Sequence, residues 1–144
     1  MMDAQQTLIL IKPDGVSQGH IGEIITRLEK KGYRIDALKV TQETDELLAQ
    51  HYADKVDKPF YPEMKSYMQE GPIVAIVASG VQIISVFRRM AGATNPSEAA
   101  FGTIRGDFGR EYADEKLRNV VHSSDSPEAA EREIKIWFGS DFNN

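Results

Sequence analysis

The chain has 144 residues, a formal net charge of −5, 41% hydrophobic and 27% charged residues, and no cysteine. That length suits one domain over 1–144 with a single core, and the composition excludes disordered and fibrous classes. The acidic balance argues against nucleic acid or an anionic membrane as a general partner, and the lack of thiols, of a membrane-length apolar run and of a secretory leader points to a cytoplasmic protein.

Thr7 to Ile11 reads as a buried strand stopped by Pro13-Asp14-Gly15, with Lys12 where the backbone leaves the sheet. Ile21, Ile24, Ile25 and Leu28 keep helical spacing, so a helix is predicted from about His20 to Lys31, with Gly32 able to take a left-handed cap. Tyr33 to Val40 alternates as a half-buried strand. Thr44 to Tyr52 is a second helix, capped by Thr44 or Asp45, and a short helix from Glu63 to Gln69 follows the Pro-bounded turn of Phe60 and Tyr61. Ile73 to Ala78 is a central strand buried on both faces, and Val81 to Met90 a helix ending in Arg88 and Arg89.

From Gly92 to Lys116 there is little apolar periodicity beyond a helical turn at Pro96 to Ala100, so this is predicted to be a functional loop. Its Gly102-Thr103-Ile104-Arg105-Gly106 run lets backbone and guanidinium approach an anion. Leu117 to Val121 is predicted as the strand that delivers His122. Ser126 and Pro127 then open a helix whose apolar face is Ala130, Ile134, Trp137 and Phe138, with Glu133 one step away. Four strands with helices between them, the helices returning over one face, make an α/β sandwich. The ferredoxin-like antiparallel sheet is the predicted topology.

A histidine at a strand end before a helix start faces an anion-friendly environment, so His122 is a candidate phosphoryl-carrying nucleophile; the plain alternative is a turn histidine without chemistry. No P-loop or Rossmann glycine motif is present, and Asp107-Phe108-Gly109 lacks the companion motifs of a protein kinase. His20, His51 and His122 share no metal-ligand spacing, and His20 and His51 are expected to be solvated.

Lys12-Pro13-Asp14-Gly15, Tyr52, Phe60, Arg88, Thr94-Asn95-Pro96, Gly102 to Asp107 and Arg118 to Ser126 together resemble the nucleoside diphosphate kinase family, from about Thr7 to Phe138. The resemblance implies ping-pong transfer of a γ-phosphate from a nucleoside triphosphate such as ATP to a nucleoside diphosphate, through a pros-phosphohistidine on His122. It implies that Lys12, Tyr52, Arg88, Thr94 and Arg105 line the phosphates, that Lys12 and Asn119 lie near the sugar hydroxyls, and that Phe60 stacks on the base. Glu133 and Ser124 would pair beside the histidine. Mg2+ would be held by nucleotide phosphates and water rather than by protein side chains, and the protein would be a hexamer or tetramer built from a common dimer. Physical chemistry agrees with these roles: phosphoryl transfer needs alignment and cations, neutral imidazole is a competent nucleophile, and stacking on one aromatic tolerates any base.

Three departures from the family pattern bear on structure. Ser123 stands where glycine usually follows the catalytic histidine, and at positive φ it would cost about 1 kcal/mol or more. Arg110 to Leu117 is longer than usual by about four residues by motif alignment, with Leu117 in place of a glycine, leaving open what covers the second face of the base. Ala99-Ala100-Phe101 replaces a Lys-Pro pair, and Ala93 an acidic residue, in a loop that in the family helps build the oligomer. Two other readings stand beside the enzyme: a catalytically silent nucleotide-binding regulator or scaffold of the same fold, and a ferredoxin-like nucleic-acid binder, which the acidic balance disfavours.

Overall fold

A computed structural model of the chain describes residues 3–114 and 116–139, with Leu117 by its backbone alone; the tail beyond Gly139, which the oligomer question touches, lies outside the described residues. Strand β1 runs Ala4–Ile11, longer than the apolar run that predicts it. Ala4, Gln5 and Gln6 extend it by pairing with Val81, Gly80 and Ser79, a backbone ladder that needs no apolar side chain. Pro13–Ser17 forms a short helix α1 in place of a turn, and α2 spans Ile21–Lys30, closed by Gly32 at φ +92. Strand β2, Arg34–Thr41, keeps the expected alternation of exposure at Leu38 and Val40, but its register shifts between Ile35 and Ala37, so these two pack on different layers of the core and not on one face.

Helix α3, Asp45–His51, is capped by Thr44, whose hydroxyl accepts from the Leu47 N–H at 3.0 Å. Helix α4 is Tyr61–Met68, starting two residues early because Pro62 suits a first turn. Strand β3, Ile73–Val81, outruns its prediction, and Gln82 at φ 61 turns the chain into α5, Ile83–Ala91. The stretch expected to be irregular holds a helix, α6, at Ile104–Phe108, with the Thr103 hydroxyl accepting from the Gly106 N–H. It escaped the periodicity because five residues, one a glycine, show no repeat. A two-residue pairing of β4, Arg110–Glu111, with β5, Leu117–Arg118, then closes the longer segment.

Strand β6 is only Val121–Ser123, and α7 spans Pro127–Phe138 behind the Ser126 cap. The predicted continuous strand from Leu117 to Val121 is therefore two strands in two sheets. Val120, at φ 73, breaks it. A buried β-branched residue in that region costs about 1–3 kcal/mol and persists only where tertiary contacts hold it. Lys12 donates its backbone N–H to the Val120 carbonyl at 2.7 Å, one such contact.

The main sheet has order β2-β3-β1-β6 with every neighbour antiparallel, the ferredoxin-like arrangement. Its helices cover both faces, not one. Alternation along β1 sends Ile9 and Ile11 towards Ile24, Leu28 and Phe87, and Leu8 and Leu10 towards Leu48, Met68 and Trp137. Each fully buried aliphatic side chain contributes about 1.5–3 kcal/mol, so two such layers hold the central strand from either side. Strand β6 is the sheet's outer edge beside β1, and there the catalytic candidates gather.

Candidate active site

A cleft of about 920 Å³ wraps the β6 edge, and it takes in Lys12, Tyr52, Phe60, Arg88, Thr94, Arg105, Asn119 and His122, together with Glu133. Segments more than a hundred residues apart in sequence meet here because β1 and β6 are neighbours. A smaller cavity of about 630 Å³, between the start of β1 and α7, contains no histidine and lies away from these groups.

His122 sits opposite Leu10 in the ladder, on the face that α7 covers. Its Nε2 lies 3.0 Å from Glu133 Oε1, and the Ser124 hydroxyl donates to the same oxygen at 2.7 Å while accepting the Leu8 N–H. Burial alone would raise the Glu133 carboxyl; the hydrogen bonds from His122 and Ser124 and the nearby imidazoles outweigh it and hold the group below the usual carboxylate range. An ionised carboxylate only accepts, so the proton of neutral His122 belongs on Nε2. The lone pair of Nδ1 is then left for chemistry.

His51 corrects the sequence reading. It is 3% exposed, not solvated, and its ring stands edge-on to His122 with centroids 4.6 Å apart. The Trp137 indole N–H donates to His51 Nδ1 at 2.9 Å. Burial first, and the neighbouring His122 second, push the His51 imidazole down to about 3. His51 is therefore neutral at physiological pH, with its proton on Nε2. His20, also expected in solvent, stacks on Phe108 at 4.0 Å.

Among the described residues, His51, His122 and Glu133 are close enough to share a metal ion, with candidate ligand atoms within 4.8 Å of one another. Those of His51 and Glu133 are already committed. Binding at His51 Nε2 would move its proton onto Nδ1, against the Trp137 N–H, and Glu133 already accepts from His122 and Ser124. The cluster reads as a tautomer-setting device.

On the other side of the edge the walls are cationic. Lys12 Nζ donates to Asn119 Oδ1 at 2.8 Å, and Asn119 Nδ2 donates to the Thr94 carbonyl at 3.2 Å. Burial and the Arg105 charge lower Lys12 to about 8, against the opposing pull of Asp14. Arg105 donates to three backbone carbonyls, Asn119 at 3.2 Å, Gly92 at 2.9 Å and Val121 at 2.7 Å. It is thus a structural pin as well as a cation. Gly92, at φ +90, is needed there: a Cβ would meet the Thr103 hydroxyl at 2.4 Å. Arg88 projects from the last turn of α5, and Arg89, unassigned by sequence, joins it on the cleft wall. Tyr52 is buried, and burial followed by the Glu133 charge pushes its phenol up, so it stays a neutral donor. Phe60 is 49% exposed, its ring offered to the open cleft.

Ser123 carries none of the strain anticipated for it. It lies extended in β6 opposite Ile9, and the positive φ sits at Val120, two residues before the histidine. In the longer 110–117 segment, the guanidiniums of Arg110 and Arg118 both stand over the Tyr112 ring, and Arg118 forks onto Glu70 at 2.7 and 3.1 Å. None of that segment's described side chains lines the cleft. Phe101, in the loop that departs from the family pattern, is 93% exposed.

The family model described as "Nucleoside diphosphate kinase" matches residues 5–142. A nucleoside diphosphate kinase of Nocardia farcinica is 52% identical over 135 residues, covering 93% of this chain and 94% of that one. One from Saccharomyces cerevisiae is 50% identical over 134 residues, covering 93% and 85%. Among solved structures, a halophilic nucleoside diphosphate kinase from Halobacterium salinarum in complex with CDP superposes with a TM-score of 0.89 at 38% identity, covering 99% of this chain and 95% of that one.

Proposed function

The chain belongs to the nucleoside diphosphate kinase family and is a phosphotransferase of that kind; we propose that it works by ping-pong transfer through His122 Nδ1, on nucleotides of any base. The observation that carries this reading is the pair His122 Nε2 and Glu133 Oε1 at 3.0 Å, which leaves Nδ1 as the free nucleophilic nitrogen at the cationic cleft. In the first half-reaction the Nδ1–P bond forms as the bond from the γ-phosphorus to the β-bridging oxygen breaks, and the nucleoside diphosphate leaves with that electron pair. The imidazolium so formed keeps its Nε2 proton, and Glu133, positioned by Ser124, balances its charge. In the second half a terminal oxygen of another diphosphate attacks the phosphorus and the N–P bond breaks.

Lys12, Arg88 and Arg105 surround the phosphate oxygens, and two guanidiniums suit bidentate contact. Tyr52 and Thr94 offer neutral contacts to the same chain of phosphates. Lys12 and Asn119 serve the sugar hydroxyls, and Phe60 stacks on the base. Mg2+ is a hard cation that prefers oxygen, and the cleft offers chiefly cationic nitrogen donors around the phosphate path. That donor set fits an ion held by phosphate oxygens and water, where it would neutralise phosphate charge. Assembly into a hexamer or tetramer is supported by exposed Leu38 and Val40 on the edge strand β2 and by Phe101; light scattering decides the number.

The test is incubation with γ-labelled ATP and magnesium. Acid-labile, base-stable label on the wild type and none on His122→Ala is expected; equal label on both would overturn the reading.

A further inference from the structure

The strained residue Val120 and its neighbour Asn119 present consecutive backbone N–H groups to the protein interior, and two side chains from distant segments receive them. Asn119 donates its N–H to the Tyr67 hydroxyl at 3.2 Å, and Val120 donates to Asp14 Oδ2 at 3.2 Å. Tyr67 in turn donates its own O–H to Asp14 Oδ1 at 2.6 Å. All four residues are buried. Burial, followed by the Asp14 carboxylate, pushes the Tyr67 phenol far up, which keeps the hydroxyl a donor to Asp14 while its oxygen accepts from Asn119. Successive N–H groups that converge in this way make a concavity suited to an anion. In this chain the protein fills it from inside.

The surrounding packing serves the same contact. Gly15 lets α1 lie against Val120: a Cβ there would stand 3.0 Å from the Val120 side chain and 3.3 Å from its carbonyl oxygen. Lys12 holds Val120 from the other side through its backbone N–H and reaches Asn119 Oδ1 with its ammonium, which stands 5.3 Å over the Tyr67 ring. One small network thus joins the first helix, α4 and the turn before β6. Its outputs are the orientation of the Asn119 amide, the placement of Lys12 Nζ and the start of the strand that bears His122.

We infer that Asp14 and Tyr67 are positioning residues for phosphoryl transfer, a buried clamp that holds the Asn119–Val120 turn in its strained form so that Asn119 and Lys12 meet the nucleotide sugar. This rests on the functional reading above. Neither residue touches the reacting atoms, and neither is one of the assigned site residues.

The experiment pairs Tyr67→Phe, which keeps the ring under Lys12 and removes only the hydroxyl, with Asp14→Asn, which keeps the shape and removes the charge. Two readouts are taken on each full-length protein: steady-state transfer to GDP and to 2′,3′-dideoxy-GDP, and amide hydrogen exchange at Asn119 and Val120. The wild type is expected to protect both amides, and Tyr67→Phe to release Asn119 in particular. Transfer to GDP should fall about tenfold to 10²-fold in kcat/KM, the usual consequence of a small misplacement. The preference for GDP over the dideoxy acceptor should shrink by at least about fivefold: displacement of Lys12, which also serves the phosphates, slows both acceptors, while the lost Asn119 and Lys12 contacts to the sugar hydroxyls cost only GDP. Equal losses on both acceptors mean a merely structural role and overturn the inference, as does wild-type behaviour in both variants. Unprotected amides in the wild type overturn it whatever the enzyme's activity. A wild type that takes no label on His122 overturns the functional reading and with it any role in transfer, while amide exchange still reports separately whether the clamp exists.

Discussion

The two sides of the β6 edge are built to different specifications. On the α7 side, His122, His51, Glu133, Ser124 and Trp137 form a chain of short hydrogen bonds and ring contacts in which Glu133 is the shared acceptor and Trp137 the donor to His51. On the α5 side, Lys12, Arg88 and Arg105 supply charge, and their hydrogen bonds mostly go to backbone and amide oxygens. In the proposed reaction one side prepares the nucleophile and the other places the anion. Phosphoryl transfer requires both, and here they come from different elements that meet at one sheet edge.

Substitutions should separate the two sides. Arg105→Ala removes a cation and three backbone pins at once, so kcat/KM is expected to drop about 10³-fold, with a stability loss of about 2–5 kcal/mol in chemical denaturation. A loss of activity without a change in midpoint would show that the pinning is idle. Glu133→Gln acts on the other side: kcat should fall about 10²-fold while the dissociation constant for ADP, by calorimetry, stays within about twofold. If affinity fell in step with kcat, the division of labour would be wrong.

Lys12 tests the cationic wall through pH. Its ammonium is present below about 8 and lost above it, so kcat/KM should decline up to about tenfold per pH unit beyond that point. Stability moves the other way. Native Lys12 binds its proton more weakly than in the unfolded chain, so its burial penalty is full below about 8 and fades as pH rises towards the ordinary lysine value. Lys12→Met should abolish both dependences.

Glu43 offers the smallest effect and a control far from the comparison. It is buried, its Oε2 has no hydrogen-bond partner among the described residues, and burial pushes its carboxyl up to about 7. The native state therefore holds this proton more tightly than the unfolded chain, and the penalty grows as pH rises from the ordinary glutamate value of 4.5 and is complete above about 7. Glu43→Gln is expected to stabilise by about 1–2 kcal/mol at pH 8 and by almost nothing at pH 5, with kcat unchanged. Thermal melts at the two pH values check it.

Local physics makes much of this molecule legible in its sequence. Ser126-Pro127 announced the start of α7, Thr44 the start of α3, and Gly32 the end of α2, because caps and turns are decided within a few residues. His122 and the scattered Lys12, Arg88 and Arg105 were legible as a set through motif order, and the sheet edge brings them together. The errors have two causes, distant partners and short elements. The early start of β1 is set by its partner strand β3, α6 is too short to show a period, and His51 looked solvated because the Trp137 that covers it lies 86 residues away.

The sequence by itself determined the order of the main-sheet strands and the longer helices and the caps of α3 and α7, which follow from neighbours a few bonds apart, and it named the candidate reactive groups through motif order. Tertiary structure alone decided the protonation pattern and the backbone strain. Which nitrogen of His122 is free depends on Glu133 crossing from α7. Val120 at φ 73 runs against every local preference of a β-branched residue, and it is held there by Asp14, Tyr67 and Lys12 from other parts of the chain. Desolvation and strain depend on what packs around a group, and in this protein those neighbours lie up to about a hundred residues away.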